Sequence, residues 1–158
     1  MTGGEGERIG AHLTEERPLG EEERRSLAAY IAGLSVPGKV ELALKGNREV
    51  RQILSRDASA MVARAVIGSP KLSEEEISSF AASSQTHEEV LRAIADNRQW
   101  TANRQVVSAL VQNPRTPVPA AIRFLKSFST SELRILSHNR GVSAPVRQEV
   151  KRLLAQRH

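Results

Sequence analysis

The sequence predicts an all-α chain, a right-handed α-solenoid of about three three-helix repeats preceded by one further helix. Three observations carry this. From residue 20 onward apolar residues recur at helical spacing, and no stretch alternates as a strand does. Segments of like pattern return three times along the chain. Aromatic side chains make up only 3% of the sequence, so the core must come from Leu, Ile, Val and Ala, and Ala and Leu favour helix.

Residues 1–19 are rich in Gly and Glu and have no apolar period, which predicts a disordered acidic tail. Residues 20–158 are predicted to form a single α-solenoid domain, long enough to bury one core. The first helix is expected over 22–34, with Leu27, Tyr30, Ile31 and Leu34 as its apolar stripe. Ser35-Val36-Pro37-Gly38 breaks it.

The repeat is read from three phrases, EVRQILSRD (49–57), EVLRAIADN (89–97) and ELRILSHN (132–139), each ending in Asp or Asn. Each is followed by a second helix with apolar residues one turn apart. These are Met61, Val62, Ala65 and Val66; then Val106, Val107, Leu110 and Val111; then Val146, Val150, Leu153 and Leu154. Ser69-Pro70 and Asn113-Pro114 lie 44 residues apart, and so do Phe80 and Phe124. Two landmarks with one spacing fix the frame. The repeats run from about 37 to 69, 70 to 113 and 114 to 156. Their helices are expected over 37–45, 48–56 and 59–68; 73–83, 87–96 and 101–112; and 117–127, 131–137 and 144–156. Thr86-His87-Glu88-Glu89 and Ser129-Thr130-Ser131-Glu132 fit capping boxes. Ser73 followed by three glutamates fits an N-cap on a helix whose first turn favours acid. Pro117 and Pro145 stand where a first-turn proline costs nothing.

With these residues in view the chain resembles armadillo and HEAT-type helical repeats. Asn113-Pro114-Arg115-Thr116-Pro117 before an apolar helix resembles the leucine-rich repeat variant family of bacterial α-solenoids, as does Asp57 with Val62, Arg64 and Ser69-Pro70. The resemblance covers about residues 37–156 and implies a binding scaffold of an uncharacterised bacterial helical-repeat family. A shared architecture leaves the function to the surface residues.

The charge is uneven. Residues 1–25 hold seven acids and four bases, whereas residues 91–158 hold twelve bases and three acids, Asp96, Glu132 and Glu149. A cationic half of this kind attracts phosphates, anionic membranes or acidic proteins. Cysteine is absent, which removes disulfides, thiolate nucleophiles and Cys-based zinc sites. No apolar run reaches membrane-spanning length and the N-terminal segment lacks an apolar signal core, so the expected location is the cytoplasm.

The arginines repeat with the helices. Arg51 or its neighbour, Arg92 and Arg134 belong to the middle helices, Arg98 and Arg140 follow the Asn, and Arg64, Arg104 and Arg147 open the third helices. Stacked repeats align such positions into rows. One reading has the rows gripping phosphates or an acidic partner. The other has Asp57, Asn97 and Asn139 holding Arg64, Arg104 and Arg147 in a structural ladder, and it is preferred for those three arginines. Arg92, Arg98, Trp100, Arg134, His138 and Arg140 are the candidate partner-binding residues. Trp100 reads first as a residue closing the core at a helix junction and second as an anchor for a partner.

His12, His87, His138 and His158 are not spaced as metal ligands on one helix. Gly3, Gly4 and Gly6 make no phosphate loop, and no nucleophile or zinc-protease motif is present. The expected function is therefore a non-enzymatic scaffold for an acidic protein, without cofactor, metal or small-molecule ligand. The alternative is sequence-tolerant binding of a nucleic-acid backbone through the basic half. The outsider is a HEAT-like DNA glycosylase using Asp96, Trp100 and Arg104. The polar last helix, with Arg147, Gln148, Glu149, Lys151, Arg152 and Gln156, caps the repeats and predicts a monomer.

Overall fold

The computed structural model describes residues 13–157. Among them the regular structure is entirely helical, with no strand. The chain divides between Glu76 and Ile77 into two compact units, where one domain was expected. The division falls inside a helix, which is why no linker composition marks it in the sequence.

The first unit contains α1 (Glu21–Ala32), α2 (Val36–Lys45), α3 (Arg48–Leu54), α4 (Ala60–Ile67) and the start of α5 (Glu74–Ala82). α2 packs on α3 and α4, and α1 packs on α3. Side chains set the starts of these short helices: Ser35 accepts from the Gly38 amide, Asn47 from Val50 and Ser59 from Val62. The buried stripes are narrower than the sequence pattern suggested. α1 buries Leu27 and Ile31 and leaves Tyr30 exposed, while α4 buries Val62, Ala63 and Val66 and turns Met61 outward, 61% exposed. Seven- and eight-residue helices cover their partners with barely two turns, so only one face finds a neighbour.

Residues 13–19 are packed, contrary to the disorder expected there. Leu19 is buried, the Leu13 carbonyl accepts from the Asn47 amide at 2.6 Å, and the Glu15 carbonyl accepts from Asn47 Nδ2 at 2.9 Å. Residues 1–12 of the expected tail lie outside the described residues, with His12 among them, as does His158.

The second unit contains the rest of α5, then α6 (Glu88–Asp96), α7 (Arg98–Thr101), α8 (Arg104–Gln112), α9 (Val118–Leu125), α10 (Thr130–His138) and α11 (Ala144–Gln156). One helix was expected over 101–112; the chain makes α7 and α8 instead. Asn97 starts the first by accepting from the Gln99 and Trp100 amides, and Asn103 starts the second by accepting from Gln105. The Ser129–Glu132 capping box forms as expected. At α6 the cap is His87, whose Nδ1 accepts from the Glu89 amide at 2.9 Å, while Thr86 Oγ1 turns inward and donates to the Phe80 carbonyl. α9 packs on α6, α8 and α11, and α10 on α11. Their core joins Val107, Val111, Leu125, Phe128, Leu133 and Leu136 to Val142, Val146, Val150 and Leu153. Each such side chain contributes on the order of 1.5–3 kcal/mol when fully buried.

The Asn-Pro landmark earns its place through Asn113. Its buried amide nitrogen donates to the Ala81 and Ser83 carbonyls, both at 2.8 Å, satisfying the end of α5 from the end of α8.

Gly46, between α2 and α3, is required by close approach. A Cβ there would lie 2.6 Å from Val50 Cγ1 and 2.7 Å from the Leu42 carbonyl oxygen. Gly46→Ala is expected to lower the unfolding free energy by about 1–3 kcal/mol in urea titration. Gly20→Ala, whose Cβ would meet only the flexible end of Glu23 at 3.7 Å, is expected to change it little.

Candidate functional site

In the second unit the predicted partner-binding residues split into engaged and free. Arg92 is paired with Glu89 one turn earlier on α6. Arg98 opens α7, Arg134 lies on α10 and Arg140 follows it in the turn; all three are exposed, and their side chains have no ion-pair or hydrogen-bond partner among the described residues. Arg134 and His138, four apart, share one face of α10 with the 69%-exposed Ile135 beside them, opposite the buried Leu133 and Leu136. Trp100 is half-buried, outside the set of core residues.

At Asn97 and Asn139 the asparagines bond nearby backbone amides rather than Arg104 and Arg147. Asn97 spends its carbonyl on the start of α7, while Arg104 reaches Glu132 at 3.1 Å and Ser127 at 2.9 Å and lies over the Phe128 ring at 4.2 Å. Asn139 accepts from the Gly141 amide, and Arg147 keeps a buried Nε without a partner. Asp57 is held by Lys39 Nζ at 2.7 Å and accepts from the Ser59 amide; Arg64 is on the exposed side of α4. Short Asn side chains follow the nearest amides, two and three residues on, rather than a guanidinium seven residues away. Of the outsider's three residues, Asp96 pairs with Arg123 at 2.9 Å and Arg104 with Glu132, so they point to separate partners. Among the described residues no group of three His, Asp or Glu side chains converges as a metal site.

The most unusual site lies in the first unit and was not singled out. Counting back six from Asp57, Asn97 and Asn139 reaches Arg51, Leu91 and Leu133, all buried. The exposed row is the next one: Gln52 (half-buried), Arg92 and Arg134. Arg51 therefore occupies a core-leucine position and is 1% exposed. Its partner repeats the exchange, because Glu76 stands 44 residues before buried Ala120. A charged pair has replaced an apolar one. The sequence signal was available in that second alignment.

The pair is closely satisfied. Arg51 Nε donates to Glu76 Oε1 at 2.6 Å, Nη2 to Glu76 Oε2 at 3.1 Å, and Nη1 to the Gly46 carbonyl at 2.7 Å. Such two-point pairing is the strong form of a guanidinium–carboxylate contact. Ser73 and Glu76 bond each other's amides across the first turn of α5, which aims the carboxylate. Burial raises the Glu76 carboxyl most, and the hydrogen bonds from Arg51 and Ser73 together outweigh it, holding the group below the ordinary glutamate range.

Beside the pair opens a cleft of about 660 Å³, lined by Arg17, Arg24, Arg48, Lys71, Glu16 and Glu49 around Arg51 and Glu76. Glu16 reaches into it. Its carboxylate takes the remaining Nη2 position of Arg51 at 3.2 Å and both its oxygens accept from the Arg48 amide at 3.1 Å.

Comparison with protein-family models, curated proteins and solved structures gives no match.

Removing either member of the pair alone leaves an unpaired buried group, and Arg51→Leu or Glu76→Ala is expected to cost about 3–5 kcal/mol. The double change, which gives the residue types found at the aligned positions Leu91 and Ala120, is expected to fall within about 1 kcal/mol of the parent. Because the Glu76 pKa is lowered on folding, the pair's contribution is complete above the glutamate range and is lost as pH falls through it. Urea midpoints measured from pH 7 down to pH 3 should show that loss in the parent and a shallower decline in the double variant.

Proposed function

We propose that the chain is a non-enzymatic helical-repeat scaffold that binds an acidic protein segment, with the outer face of α10 as its principal contact. The solenoid reading is supported by the threefold recurrence of the helix pattern. In the second unit it is also supported by α9 lying on both α6 and α8, as one repeat lies on the last. A monomer in the cytoplasm is the state in which this reading places it.

One observation carries the choice of partner. Every acid among residues 91–158 is paired with an arginine: Asp96 with Arg123, Glu132 with Arg104 and Glu149 with Arg152. The exposed cations left outside these pairs include Arg98, Lys126, Arg134, Arg140 and Lys151, and one of them, Arg134, lies beside exposed Ile135. Arg134 beside Ile135 on α10 suits an amphipathic acidic segment, which supplies both carboxylates and apolar side chains. A phosphate backbone would use the charge alone and gain nothing from Ile135.

The test is fluorescence anisotropy at physiological salt with two kinds of probe: a labelled amphipathic Glu/Leu helical peptide, and labelled single- and double-stranded oligonucleotides. The peptide is expected to bind more tightly, and Arg134→Glu and Ile135→Asp are each expected to weaken it roughly tenfold. Tighter binding of oligonucleotides, sensitive to Arg134 and indifferent to Ile135, would place nucleic acid first.

A further inference from the structure

The cleft at Arg51 belongs to the first unit and is independent of the α10 face. Its lining holds five basic and three acidic side chains, Glu16 among the acids. Arg51 is fixed from behind by Glu76 and Gly46 and presents one guanidinium edge forwards, at the floor of the opening. The group on that edge is a carboxylate whose side chain is 54% exposed, carried by a segment that reaches α3 from outside the helical repeats.

We propose that this cleft is a carboxylate-binding site for a glutamate or aspartate side chain of an acidic protein segment, and that Glu16 is its resident, displaceable occupant. Three features support the assignment. A buried cation with three of its contacts fixed is preorganised, so an incoming group does not have to order it. Replacing one exposed carboxylate by another keeps the number of charge-assisted hydrogen bonds constant, so exchange needs no unpaired intermediate at equilibrium. The same nitrogen, Nη2, already serves Glu76, so a dianionic phosphate would bring two negative charges against the fixed one where a carboxylate brings one. A monoanionic carboxylate is the better match. When Glu16 leaves, the lining has three basic charges in excess, with Arg48 and Lys71 beside the vacated position.

The Nη2 signal of Arg51 in nitrogen-15 NMR reports on this edge in the full-length chain. The probes are an N-acetylated, C-amidated Gly-Glu-Gly peptide, its Gly-Gln-Gly counterpart and inorganic phosphate. In a Glu16→Ala chain the Glu peptide is expected to move the Arg51 signal saturably, with the parent chain requiring roughly tenfold more peptide or beyond. The Gln peptide should leave the signal in place. Glu16→Gln keeps the side-chain shape without the charge and is expected to behave like Glu16→Ala, so a folding defect in the alanine variant does not remove the test. Equal affinity in parent and variant, no saturable movement in either variant, or tighter binding of phosphate than of the Glu peptide would each overturn the assignment. None of these outcomes bears on the α10 face, whose own titration reads Arg134 and Ile135.

Discussion

The burial of the Arg51 guanidinium organises the first unit. A cation taken out of water must find partners for its donors or be expelled, since an unpaired buried charge costs several kcal/mol. Each partner then imposes a condition of its own. Glu76 must be aimed, and the reciprocal Ser73–Glu76 bonds at the start of α5 aim it. The Gly46 carbonyl must come close, and the connection from α2 to α3 is tight enough there to exclude a Cβ. The last edge must be covered, and Glu16 covers it, which draws residues 13–19 onto the beginning of α3. At the positions that align with them in sequence, Leu91 and Ala120 are simply buried. Apolar side chains fill space without direction. The charged pair adds direction, and with it an opening where one edge of the guanidinium faces the cleft.

The second unit handles charge differently. Its ion pairs are on the surface, where each contributes little to stability and is screened by salt. Their effect is to consume the acids. The Ser129 amide and then Arg104 hold Glu132 below the ordinary range, Arg152 does the same for Glu149, and Asp96 is paired with Arg123. Local pairing of the few carboxylates leaves the excess positive charge on residues that have no intramolecular use for it. A high net charge thus becomes a set of particular arginines, and Ile135 gives that set an apolar neighbour.

Much of this was legible in the residues. Helical period placed most of the helices, because a buried face must return every three or four residues. Ser129 and Glu132 announced their box because both partners lie within one turn. Three things were hidden. Asn97 and Asn103 divide a continuous-looking pattern into α7 and α8, since a cap interrupts a helix without disturbing its apolar spacing. Residues 13–19 have no period, and what orders them is the partner they meet, Asn47 and Arg51, some thirty residues on. Arg51 itself counted among the arginine rows because a charged residue type is assigned to the surface by default. Aligning the three sequence phrases from their terminal Asp or Asn, rather than from their leading Glu, places it on Leu91 and Leu133. Its burial then follows from position.

Buried and exposed cations also select partners by different physics. Arg98, Arg134 and Arg140 act through solvent, so their field steers and attracts anything acidic and weakens as salt is added. Long flexible side chains at an exposed face also tolerate many geometries, which gives attraction with little discrimination. Arg51 sits at the floor of a cleft with its plane set by Glu76, so only a group that reaches one nitrogen from one direction gains from it. Its contribution is less screened, because protein rather than electrolyte surrounds it on most sides. The chain's own Glu16 shows what satisfies that requirement: a single carboxylate, on an extended segment, reaching past Arg48.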